Sequence, residues 1–145
     1  MNAPVTAAGR GAYAPRTLPA VSKLANQRAP LDRQRLGSDA EERAAQLLRQ
    51  AGYAIVARNF RCRMGELDIV ARRGTLLIIA EVRLRSSAGF GGPGASITAA
   101  KRARIVRAAR CLLARQPQLA NLSVRFDTLL LESCTGPIDW IEGAF

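Results

Sequence analysis

Glu66-Leu67-Asp68-Ile69-Val70-Ala71 and Thr75-Leu76-Leu77-Ile78-Ile79-Ala80-Glu81-Val82-Arg83 are two apolar, strand-like runs that carry charged groups, separated by the basic turn Arg72-Arg73-Gly74. Side chains alternate faces along a strand, so Glu66 and Asp68 are expected on one face and Leu67 and Ile69 on the other. By the same parity Glu81 and Arg83 point the same way. If the Gly turn closes a hairpin, three carboxylates and one guanidinium converge on a patch at one sheet face. Carboxylates at that density repel each other unless a cation joins them.

Working outward, Tyr53 to Phe60 reads as a preceding strand and Arg61 to Gly65 as its turn, while Arg85 to Pro93 reads as a Ser/Gly loop. A helix is predicted from about Ser96 to Arg115, burying Ile105, Ala109 and Leu112, with Lys101, Arg104, Arg107 and Arg110 as a slowly winding cationic stripe. Val124 to Glu132 and Ile138 to Ile141 read as two more strands. Upstream, Ser38 and Glu41 fit a capping box ahead of Ala40, Ala44, Leu47, Leu48 and Ala51 at helical spacing, with Gly52 as the stop. The predicted order is α-β-β-β-α-β-β, an α/β fold with a mixed sheet flanked by helices.

Residues 1–35 are rich in Ala, Pro and Arg and show no sustained period, which predicts a flexible basic tail ahead of one domain spanning 36–145. An organelle transit peptide has a similar composition; a secretory signal, with its apolar centre, does not. The chain has 145 residues, 48% of them hydrophobic, enough for a core. Its 22 Lys and Arg against 11 acidic residues give a net charge of +11. Such a balance suits a polyanion, nucleic acid better than a membrane surface. Lys23 and Lys101 are the only lysines, an Arg bias that a GC-rich genome also produces. Cys62, Cys111 and Cys134 lack any CxxC spacing, which points to a reducing compartment and against structural zinc. Histidine is absent, which excludes His-based triads and HExxH metalloprotease chemistry. No apolar run approaches the ~20 residues that span a bilayer. A soluble, cytoplasmic protein is expected.

Hard cations such as Mg²⁺ or Mn²⁺ take oxygen ligands, usually one or two carboxylates completed by water and substrate phosphate. Asp68 and Glu81, on neighbouring strands, suit that. A metal so held can place a water for attack on a phosphodiester and neutralise charge on the leaving oxygen. Arg83, on the face of Glu81, is positioned to orient the water or grip the phosphate. The plainer alternative is a pair of ordinary sheet charges held by Arg83 or Arg85. Likewise Glu66 can simply end a turn, Glu41 can simply cap its helix, and the cationic stripe can be a solvated face.

Gly65-Glu66-Leu67-Asp68-Ile69-Val70-Ala71 followed by Glu81-Val82-Arg83 resembles the GEIDLIA and EVK signatures of the YraN family of bacterial proteins. The resemblance extends from about residue 36 to 145. It takes in Ala40-Glu41-Glu42-Arg43-Ala44 for the family's GE-x-x-A, Arg58-Asn59-Phe60-Arg61 for its RNWR, Phe90-Gly91, Lys101, Arg125-Phe126-Asp127 and a terminal Ala144-Phe145. That family is similar in fold to restriction endonucleases and Holliday-junction resolvases with a PD-(D/E)xK site. The resemblance implies a nuclease-like αβββαβ core, Asp68 and Glu81 as metal ligands, and Glu41 or Glu66 as a further acid at the site's edge. Two departures stand out. Ala40 replaces the family's Gly, and Arg83 replaces the Lys after Glu-Val; Arg stays charged in proteins and cannot serve as a general base. The expected function is binding of DNA or structured nucleic acid with metal-dependent endonuclease activity on DNA phosphodiesters, branched or damaged DNA in particular. A catalytically degenerate binding module and a protein-interaction module on the same scaffold are the alternatives. A homodimer would suit a two-fold symmetric junction.

Overall fold

The computed structural model describes residues 22–85 and 97–145. The elements run α1 (Ser22–Gln50), β1 (Ala54–Cys62), β2 (Gly65–Arg73), β3 (Leu76–Leu84), α2 (Ala99–Arg115), a 3-10 turn at Pro117–Leu119, β4 (Ser123–Leu131) and β5 (Ile138–Ile141). The five strands form one sheet in sequence order. Neighbours pair antiparallel, except that β3 and β4 are parallel, from Leu76↔Ser123 to Leu84↔Leu131. This is the predicted α/β order with a mixed sheet. A parallel pair needs a crossover, and α2 provides it.

Each sheet face carries one helix. On one side Ala44, Ala45 and Leu48 of α1 pack on Ile69, Ala71, Ile78, Ala80 and Leu129. On the other, Ile105, Ala108, Ala109 and Leu112 of α2 pack on Val70, Leu77 and Ile79. Burial on both faces is why β3 reads as an almost unbroken apolar run. The hairpin between β2 and β3 closes as predicted, through Arg73↔Leu76 and Gly74 at φ 60°. Gly52, at φ 85°, ends α1 while the Tyr53 amide donates to the Leu48 carbonyl.

Two expectations are corrected. Helix α1 begins at Ser22, so it crosses residues 35 and 36 and runs through Ser38 without a cap there. The segment from Asp32 to Leu36 holds several good helix formers, and a single Gly37 costs only ~1 kcal/mol inside a helix. Leu67 and Ile69 do not share a face: Leu67 packs under α2, Ile69 under α1. The β1–β2 register passes from Arg58↔Ile69 to Phe60↔Leu67, skipping Asn59 and Asp68, and Asn59 sits at φ 49°. A left-handed residue within a strand breaks the pleat, and Asn tolerates it better than most. Residues 1–21, and most of the Ser/Gly loop with Phe90-Gly91, lie outside the described residues. Among the described residues no helix is long and apolar enough to cross a membrane.

Candidate functional site: a carboxylate cleft between two strands

The β2–β3 ladder stops at Ile69↔Ala80. Beyond that rung, β2 pairs only with β1, and the Asp68 side chain takes over the bonding: its Oδ2 accepts the Val82 amide at 2.9 Å. A carboxylate thus fills the place of a backbone carbonyl where two strands separate. Burial, and next the charge of Glu81, push the Asp68 carboxyl up to about 7, against the opposing pull of the Val82 amide and Lys101; Glu41 adds to the upward push.

Glu81 is 5% exposed, an unusual state for a carboxylate. Its partner comes from across the cleft. Thr98 caps α2, its Oγ1 accepting the Lys101 amide at 3.2 Å, which fixes the first helical turn. From that turn Lys101 Nζ donates to Glu81 Oε1. Glu66, Asp68, Glu81, Lys101, Arg104 and Ile105 line a cleft of about 110 Å³.

The remaining acids stand around this centre. Glu66 borders the cleft and pairs with Arg61 at 3.0 Å. Glu41 accepts from Asn59 Nδ2 at 2.8 Å, and next to it Glu42 pairs with Arg58. Two consecutive residues of α1 therefore hold two consecutive residues of β1, the ones beside the broken pleat opposite Asp68. Glu41 is the anchor of that kink and a contributor to the field at Asp68, not a cap. Ala40, where the resembling family has Gly, is buried without difficulty.

Arg83 shares the face of Glu81 but does not line the cleft; Lys101 does. The predicted stripe divides. Lys101 and Arg104 enter the cleft wall, and Arg107 and Arg110 stay exposed further along α2. Arg125-Phe126-Asp127 is structural: Asp127 is fully buried, held by Arg125 through two hydrogen bonds of 2.8 and 2.9 Å, by Trp140 Nε1 and by the Gly143 amide. Trp140 also packs edge-on to Tyr53.

The donor set suits a hard divalent cation. Among the described residues no group of three His, Cys, Asp or Glu side chains converges on one point. Mg²⁺ does not need one, since two carboxylates with water and a substrate phosphate suffice. A half-buried Asp68 short of compensating charge is the observation that fits such an ion.

Sequence reasoning placed Lys101 on a binding stripe and missed its place beside Glu81. A signal existed: a crossover helix that returns to a parallel strand starts near the C-terminal end of the strand it leaves, so the first turn after β3 faces the end carrying Glu81. Residues 40–131 match the uncharacterised protein family UPF0102. The chain is 44% identical over 110 residues to a UPF0102 protein of Nitrosomonas europaea, covering 75% of this chain and 92% of the relative. It is 47% identical over 109 residues to one of Dechloromonas aromatica, with coverage of 75% and 87%. A Bordetella avium relative is 45% identical over 116 residues, with coverage of 80% and 78%.

Proposed function

The chain belongs to the uncharacterised protein family UPF0102, and from the carboxylate cleft we propose that it is a metal-dependent endonuclease acting on DNA or structured nucleic acid. The observation that carries this reading is the meeting of Asp68 and Glu81, from strands that part at that point, with Lys101 on Glu81 in one cleft. Asp68 and Glu81 would hold Mg²⁺ or Mn²⁺, which when bound would bring a water to the phosphorus and offset charge on the leaving oxygen. The chain's own residues do the positioning. The Val82 amide fixes the Asp68 carboxylate, and Lys101 engages one of the two Glu81 oxygens. Lys101 and Arg104 border the space where a phosphate would sit.

A lysine in the cleft weighs against taking Arg83 as a mark of lost catalysis. The nuclease resemblance of the sequence signatures supports the same chemistry. The test is a panel of labelled linear, branched, flapped and single-stranded DNAs in Mg²⁺, Mn²⁺ or EDTA, with wild type and Asp68→Ala. Cleavage abolished by EDTA and by the variant is the expected result. Cleavage by neither protein at high enzyme concentration, with retained DNA binding, would leave a binding module in its place.

A further inference from the structure

Beside the carboxylate cleft lies a second, more open pocket of about 280 Å³ at the tip of the β1–β2 hairpin. Arg61, Arg63 and Arg104 stand around it, with the hairpin residues Cys62 to Gly65 as its floor. Its one acid is Glu66, already paired with Arg61, whose side chain is 74% exposed. Glu66 and Arg104 line both this pocket and the cleft, so the two share a wall. The pocket is held in shape by a close approach. A Cβ on Gly65 would lie 3.0 Å from the Arg104 carbonyl oxygen, so a side chain there would press the hairpin tip away from α2.

We propose that this pocket is a phosphate subsite, which takes the phosphodiester next to the one presented to Asp68 and Glu81. The inference rests on the nuclease reading for its placement and on the three guanidinium groups for its chemistry. Arginine offers planar, paired donors that match phosphate oxygens. Three of them against one satisfied acid leave an excess of positive charge. Because that excess adjoins a cleft of carboxylates, a nucleic-acid backbone would meet cation and acid in succession. Only a chain of phosphates could use both at once, one bridged by a metal and its neighbour held by arginine.

The test compares two double variants with equal charge changes, all on exposed residues. R63Q/R104Q removes two of the pocket's three arginines and leaves Arg61 on Glu66; R107Q/R110Q removes two cations further along α2. Binding of a labelled branched DNA and a single strand is followed by fluorescence anisotropy across a salt series in EDTA, with melting temperatures as the folding control. The pocket pair should lose about tenfold or more in affinity and about 1 to 2 in the slope of log K against log salt, and the control pair less than about threefold in affinity. Equal losses in the two pairs would mean general charge and overturn the subsite, as would absence of DNA binding by wild type. On any DNA the wild type cuts, a single methylphosphonate next to the cut should weaken wild type but not R63Q/R104Q. If nothing is cut yet the pocket pair alone loses affinity, the cleavage reading falls and the phosphate site stands.

Discussion

Asp68 shows what one residue carries. Its ordinary value of 3.8 is raised to about 7 by burial and by Glu81, so the folded chain prefers the protonated acid. The stabilisation this gives is complete below pH 4 and is lost as pH rises through about 7. Asp68→Asn should therefore melt near wild type at pH 4 and above it at pH 8, by on the order of 2 to 4 kcal/mol. Millimolar Mg²⁺ should raise the wild-type melting temperature at pH 8 and leave the variant unmoved; a variant less stable than wild type at pH 8 would show that the carboxylate is satisfied without a metal. Lys101 and Arg83 are separable in the same way. Lys101→Met should reduce cleavage at least a hundredfold, the scale of a lost acid–base or electrostatic group, while Arg83→Lys should change it by less than about tenfold. The reverse ranking in a single-turnover assay would return the catalytic cation to β3. Asp68 and Glu81 stood out as charges in an apolar setting, although strand parity failed beside Asp68. Lys101 did not, because periodicity along α2 gives its face but not its partner, which lies on another element twenty residues away.

At the scale of elements, local chemistry proved a good guide wherever it was not overruled by continuation of a neighbouring element. Gly52, Gly74 and the apolar face of α2 were readable from turn chemistry and helical spacing, and all three do what was expected. Ser38 and Glu41 have the spacing of a capping box, yet α1 begins before them and Glu41 is drawn to Asn59. A cap pattern shows that a helix can start, not that it must. Ser38→Ala should therefore be neutral or stabilise by up to ~0.5 kcal/mol. Thr98→Ala, which removes a cap in use, should cost ~1 kcal/mol and loosen the turn bearing Lys101. Urea denaturation of the two variants checks this directly, and equal losses would restore Ser38 as a helix start. The break at Asn59 was invisible in sequence, since nothing in an apolar-polar pattern announces one residue with positive φ. Its purpose is physical: it leaves Asp68 off the β1–β2 ladder at the rung where β2 and β3 part.

Across the whole molecule the charge is unevenly used. The chain is strongly basic, with a net charge of +11, yet its candidate site is a pocket of carboxylates. Attraction of a polyanion and acceptance of its backbone at the cleft are thus opposed until a cation enters. The same opposition explains why composition pointed to nucleic acid but named no site for it: general charge sets long-range attraction, and only folding sets Asp68, Glu81 and Glu66 around one cleft. A consequence follows for binding without turnover. In EDTA at pH 8, D68N/E81Q should bind labelled DNA more tightly than wild type, by about three- to tenfold, because two repelling charges are gone beside the backbone. Ca²⁺, a divalent cation with the same preference for oxygen ligands, should tighten wild type toward the variant and leave the variant almost unchanged. If the double variant binds no more tightly in EDTA and Ca²⁺ closes no gap, the nucleic-acid backbone does not pass over the cleft, and the positive surface elsewhere holds it without presenting a phosphate to Asp68 and Glu81.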